Sequence, residues 1–228
     1  MEIVNVRTAR SLWYIDTRDL NPRGISLYPV LGAIKDRYRF QITPRTPEEL
    51  NPNNPKGITL SDGVFSQGSQ LHSINRLTMY GDGFLAESNH STDFSDAFLD
   101  DLLSYAARQF GLSYRPEMIL RKAYFSELIA RTDRRLDLVF APLSQLCGAL
   151  QAASGARFEA AGFELGADYS TPERPVSFRF ERELIKPFEQ NRYYSLAPLQ
   201  TAQHEQVLLR LEAILSGEQG QLPGDPNP

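Results

Sequence analysis

The sequence predicts an α+β fold: a mainly antiparallel sheet with three to four helices packed on it, covering one face. Three observations predict it. Leu71–Leu112 reads as a two-stranded hairpin running directly into a capped amphipathic helix. Apolar and polar residues alternate in Tyr38–Thr43, Tyr124–Arg131 and Phe178–Glu181, the period of half-buried strands. Strand-like and helix-like segments interleave, yet the tight hairpins require antiparallel neighbours.

From the N-terminus, Ile3–Val6 and Ser11–Ile15 read as short strands, the second with Trp13 and Ile15 on one side. Asn21-Pro22-Arg23-Gly24 is a turn by composition. Ser26 is placed to cap a short helix from Leu27 to about Lys35, whose first turn tolerates Pro29. Tyr38–Thr43 follows as a strand. Pro44–Gly57 holds four prolines and three asparagines, so it is a loop, a boundary or a mobile flap. Ile58–Leu60 and Val64–Phe65 flank Ser61-Asp62-Gly63 as a small hairpin.

The central hairpin turns at Gly81-Asp82-Gly83. Asp82-Gly83 suits a type I′ turn and Gly81-Asp82 a type II′ turn, because each puts glycine where φ must be positive. The two registers differ by two residues and keep the same faces. Leu71, Leu77, Met79, Phe84 and Ala86 share one; Arg76, Thr78, Tyr80, Leu85 and Glu87 share the other. Arg76 and Glu87 fall opposite or diagonal, an ion pair worth roughly 0–1 kcal/mol if exposed. Ser91-Thr92-Asp93 supplies N-cap residue types for the helix. Phe94, Phe98, Leu102 and Tyr105 form one apolar row beside Leu99, Leu103, Ala106 and Phe110, and Gly111 is the expected C′ residue.

Met118–Arg131 is open between helix and strand, and its alternation favours a long strand with Asp133-Arg134-Arg135 as the exit turn. Pro142 fits the first position of a helix reaching about Ala153, with Gly155 as its stop. Phe158–Leu165 and Val176–Leu184 read as strands, and Lys186–Leu199 as an irregular, aromatic-rich arm. Thr201 caps a last helix with Val207, Leu208, Leu211, Ile214 and Leu215 on its face, ended by Gly217. One domain over 1–215 is expected, or two sub-modules joined near 112–116, with a flexible tail over 216–228.

Composition bounds the function. Among 228 residues, 41% are hydrophobic and 23% charged, ordinary for a soluble domain. There is no run of about 18 apolar residues, so no membrane helix is expected. The N-terminus lacks the basic-then-apolar pattern of a secretory signal, which makes the expected location cytosolic. A net charge of −4 argues against general nucleic-acid affinity. Residues 1–45 carry eight Arg and Lys against four Asp and Glu (+4), and the remainder sixteen against twenty-four (−8). The basic segment is expected to dock on the protein's own acidic helix. The single cysteine, Cys147, excludes an internal disulfide and a cysteine-based zinc site. It lies on the row Leu143, Leu146, Cys147, Leu150, which predicts a buried, inert thiol.

Chemistry-bearing patterns are sparse. Of the three histidines, His72 and His90 fall on opposite hairpin faces and His204 in the first turn of the last helix. Each is expected to be a surface or locally bonded ring. Phe65-Ser66-Gln67-Gly68 lacks the first glycine and the following helix of a nucleophile elbow. Asp93, Asp96, Asp100 and Asp101 suggest a metal, but acidic residues near a helix N-terminus complement its dipole without one. Glu181 and Glu183 share a strand face with Arg179, a solvated strip. No cofactor and no metal site is expected.

The leading expectation is a non-enzymatic interaction or assembly subunit of a bacterial or phage multiprotein system, binding a protein partner or itself. Arg192, Tyr193 and Tyr194 are the first interface candidates, since Arg and Tyr are enriched at interfaces, followed by Asn53 and Asn54. The alternative is an enzyme, a hydrolase or nucleotide-processing activity, in which His72 or His90 meets Glu87 or Asp93 in a deep pocket. A third reading, a nucleic-acid module, requires the N-terminal arginines together with Arg121, Lys122, Arg131, Arg134 and Arg135 to form one continuous patch.

Overall fold

The structure, a computed structural model, describes residues 1–51, 54–134, 143–168, 170 and 175–217. Its elements run β1 (Glu2–Tyr14), α1 (Thr17–Leu20), α2 (Leu27–Tyr38), β2 (Ile58–Gln67), β3 (Gln70–Tyr80), β4 (Gly83–Ser88) and α3 (Thr92–Phe110). Then follow β5 (Arg121–Arg131), α4 (Ser144–Ser154), β6 (Gly162–Leu165), β7 (Phe178–Arg182), β8 (Arg192–Ala197) and α5 (Thr201–Leu215). Among the described residues the eight strands form an antiparallel sheet in the order β2-β3-β4-β1-β5-β8-β7-β6, so the fold is α+β. The chain divides into two compact units. The larger holds Val6–Ser126 and Pro198–Thr201; the smaller holds Met1–Asn5, Glu127–Ala197 and Ala202–Pro228.

In the larger unit, Tyr80 pairs with Gly83, which makes Gly81-Asp82 the connection between β3 and β4, as its position predicts, but neither Gly81, Asp82 nor Gly83 takes the positive φ that the expected type I′ or II′ turn requires. Leu77, Phe84 and Ala86 lie in the core, as alternation requires. Trp13 pairs with Phe84 and Tyr14 with Gly83 across β1 and β4. A Cβ on Gly83 would collide with the Trp13 carbonyl, so this strand crossing admits only glycine. Glu87 stands directly opposite both Arg10 and Arg76, and its Oε2 accepts from each at 2.6 Å. Burial alone would raise the Glu87 carboxyl; the bonds from Arg76 and Arg10 outweigh it and hold the group below the usual carboxylate range.

α3 is bounded as its sequence predicts. Ser91 Oγ accepts from the Phe94 amide at 3.1 Å, and Gly111 closes the helix in the left-handed region at φ 70°. Phe94, Phe98, Leu99, Leu102, Leu103 and Ala106 are buried. They pack on Trp13, Ile15, Ile58, Leu60, Ile74 and Leu77 of the sheet, with α2 contributing Val30, Leu31, Ile34 and Tyr38. Arg37 reaches Asp101 at 3.0 Å, so the basic N-terminal segment does dock on the acidic helix at this point.

Several local expectations are corrected. Ile3–Val6 and Ser11–Ile15 belong to one strand, β1. Tyr38–Thr43 is not a strand. Val30, Ile34 and Tyr38 form one helical row, α2 ends at Arg39 with φ 54°, and Phe40 turns into the core; Ile42 alone bridges Ser61. The apparent alternation therefore combined a helix end with a turn. Ser26 makes no side-chain cap bond. Ser61-Asp62-Gly63 is not a hairpin either: β2 runs through it, Asp62 takes φ 58°, and Gly63 faces the Phe40 ring. β3 carries a bulge between Ile74 and Arg76. The extra residue reverses the faces beyond it, so Ile74 is buried and Leu71, expected in the core, is 61% exposed.

In the smaller unit, β6, β7 and β8 form an antiparallel trio. Phe180 and Tyr193 stack at 4.8 Å with 18° between planes, both fully buried. The segment expected to be irregular, Lys186–Leu199, is instead a 3-10 turn at Phe188–Gln190 followed by β8, because Tyr193, Ser195 and Ala197 alternate inward. Met118–Arg131 yields a strand from Arg121, after a 3-10 turn at Pro116–Met118. α4 buries none of its residues. Leu143, Leu146 and Leu150 are exposed and Cys147 is half-buried, which corrects the buried thiol: the helical spacing was right, but the apolar row lies open. Pro142, Arg135 and the tail beyond Gly217 lie outside the described residues.

Candidate functional site

The larger unit contains an apolar cavity of about 270 Å³. α2 lines it with Leu27, Val30, Leu31 and Ile34, residues whose i, i+4 spacing places them on one helix face. α3 contributes Leu102, Leu103 and Ala106; Ile58, Met79, Tyr80 and Phe84 come from the sheet. Thr17, Arg18, Leu20, Asn21 and Leu112 complete the lining.

Three polar side chains of this lining, those of Thr17, Arg18 and Asn21, are committed to the chain itself. Thr17 Oγ1 donates to the Gly81 carbonyl at 2.6 Å, and Asn21 exchanges two 2.8 Å bonds with the Ile25 backbone. Asp16 caps α1 from the Arg18 amide and holds the Arg18 guanidinium at 2.6 Å. Those bonds pull the Asp16 carboxyl down to about 2. Among the described residues, no carboxylate, imidazole or thiol lines the cavity. It can accept an apolar group, with space for an aromatic or branched aliphatic side chain, since a dry cavity of about 150 Å³ already holds benzene.

The histidines sit elsewhere. His72 and His90, expected on opposite faces, lie with ring centroids 4.2 Å apart, and both pack on Phe94. The bulge in β3 is the cause: it reverses the face of His72, and His90 lies in the turn beyond β4. Their expected carboxylate partner, Glu87, is taken by the two arginines. His204, expected at the surface or bonded locally, is fully buried. Its Nε2 lies 2.8 Å from Ser195 Oγ, and that hydroxyl donates to the Arg179 carbonyl at 3.0 Å. Ser195 therefore accepts from His204, which fixes the proton on Nε2. Burial pushes the His204 imidazole down to about 4. A serine and a histidine in contact resemble a nucleophile and base, but at zero exposure neither can meet a substrate.

The carboxylates of α3 act as struts. Asp96 accepts from Trp13 Nε1 at 2.6 Å, Lys122 Nζ at 2.9 Å and the Tyr124 hydroxyl at 3.0 Å. Burial and then Asp96 push the Tyr124 phenol up to about 12. Asp100 accepts from Tyr114, and Asp101 from Tyr38 and Arg37. Among the described residues, no three His, Cys, Asp or Glu side chains converge as a metal site.

The candidate interface residues are held inside their own units. Arg192 Nε donates to Glu183 at 2.5 Å, and the Tyr194 hydroxyl donates to Glu127 at 2.8 Å. Tyr193 presents no surface, because its ring is a core ring under Phe180. Asn54 braces its loop, donating to the Glu48 carbonyl at 3.2 Å and accepting from the Lys56 amide at 2.9 Å. Asn53 lies outside the described residues. Of the basic residues in the third reading, Arg121 stacks over Tyr14, Lys122 pairs with Asp96 and Arg131 pairs with Glu2.

Sequence reasoning missed the cavity and the Asp96 hub. The i, i+4 row of α2 was the available signal for the first. The second joins residues 83 and 26 positions apart, which no local pattern encodes. No protein-family model matches the chain, and no curated protein matches it.

Proposed function

We propose that this protein is a non-enzymatic interaction subunit that seats an apolar anchor of a protein partner in the cavity of its larger unit. The carrying observation is the cavity: preformed, almost wholly apolar, and lined, among the described residues, without a carboxylate, imidazole or thiol. Such a lining supplies burial and shape, the terms that dominate an interface hot spot, and no reaction step. The exposed row Leu143, Leu146 and Leu150 on α4 adds apolar surface of the kind partners cover. Arg192 and Tyr194 stand as separate contact candidates of the smaller unit, through polar groups already held by Glu183 and Glu127.

The test is a peptide selection against the full chain, followed by methyl NMR with the strongest binder. We expect binders that share one aromatic or branched aliphatic anchor and shift the Met79 and Leu102 methyl signals. Binders without such an anchor, or shifts confined to other methyls, contradict the proposal.

A further inference from the structure

We propose that His72 and His90 form a surface site for one divalent transition-metal ion, the two imidazoles supplying ligands and water completing the shell. The site is independent of the apolar cavity and of the partner that cavity takes.

The geometry carries it. Two imidazoles from separate parts of the chain, β3 and the turn before α3, lie with ring centroids 4.2 Å apart and a 60° tilt. Phe94 packs against both rings, at 5.2 and 5.3 Å, and so holds them side by side. His72 is half-buried and His90 exposed, so the pair is open to solvent.

The surroundings suit ligation. Metal-bound histidines commonly direct their second ring N–H to an oxygen, which fixes the tautomer. His72 Nε2 lies 3.3 Å from Gln70 Oε1, and His90 Nδ1 lies 3.3 Å from Ser91 Oγ. If each of these bonds holds the ring proton, His72 Nδ1 and His90 Nε2 keep their lone pairs. The positive end of α3 opposes a cation here, an effect that solvent screens at an exposed turn and that metal–imidazole bonds outweigh. Imidazole ligands favour Cu²⁺, Ni²⁺ and Zn²⁺ over Mg²⁺ and Ca²⁺.

The test uses the full chain with Ni²⁺ and Zn²⁺ alone, by equilibrium dialysis and by NMR of the histidine rings at neutral pH. We expect one ion per chain, with His72 and His90 resonances shifting or broadening and His204 unchanged. H72N and H90N should each weaken binding by roughly tenfold or more, and the double variant should abolish it. Circular dichroism establishes that the variants fold; should one not fold, the wild-type ring resonances decide alone. No uptake at millimolar ion, uptake unchanged in the folded double variant, or shifts confined to His204 overturns the proposal.

Discussion

Ser195 Oγ and His204 Nε2 meet at 2.8 Å, and neither side chain is exposed. The pair is a buried polar link in the smaller unit, and its consequence is a pH-dependent stability. Burial holds the folded imidazole at about 4, against an unfolded value of about 6.5. Between those values the unfolded chain binds a proton that the native state refuses. The stability is therefore fully present above about pH 6.5 and falls as pH drops toward about 4, by up to roughly 3 kcal/mol from this group. Ring NMR of His204 should show no titration near 6.5. Ser195→Ala, which leaves the His204 N–H without this acceptor, should cost about 1–3 kcal/mol by urea denaturation.

Gly83 is expected to tolerate no side chain. The Trp13 carbonyl occupies the space of a Cβ, and both backbones are fixed by strand pairing. Gly83→Ala should destabilise the protein by about 1–3 kcal/mol, the range of overpacked sites. Gly24, with nothing within 4 Å of its Cβ position, serves as a contrast: there the cost comes only from its φ of +62°. Thermal unfolding of both variants checks the ordering.

Asp96 joins Trp13, Lys122 and Tyr124, whereas Asp93 in the same helix is exposed. Asp96→Ala should cost about 2–3 kcal/mol, because charge-assisted bonds are lost together and partly buried donors are left behind. Asp93→Ala should cost about 0.3–1 kcal/mol through the helix dipole alone. Equal losses in the two variants would remove the hub.

Filling the cavity should not harm the fold. In a close-packed core, adding methylenes costs about 1–3 kcal/mol. Ala106 borders about 270 Å³ of open space, so Ala106→Leu should be neutral or stabilising by up to about 1 kcal/mol. A loss within the overpacking range, measured by denaturant unfolding, means the cavity is not accessible to that side chain.

The fold class, the central hairpin and the limits of α3 were legible because each rests on local signals: Gly81-Asp82, Ser91 and Gly111. The errors share a cause. The bulge at Asn75 inserts one residue into β3, and period-two reasoning cannot see an insertion whose partner lies on another strand. That hid the burial of Ile74 and the meeting of His72 with His90. Tyr193 was read as surface from its Arg and Tyr neighbours, although the same alternation places it inward with Ser195 and Ala197. The cavity was out of reach because it depends on how α2, α3 and the sheet are spaced, a property of packing and not of any one segment.

The most direct measurement of the central claim is the affinity of a selected apolar-anchor peptide for the wild-type chain and for folded Ala106→Leu. An anchor seated in the cavity competes with the new side chain for the same space. Binding is expected to be at least about tenfold weaker in the variant, the loss of one well-packed hot spot. Equal affinities for the two proteins would contradict it and move the interface away from this cavity.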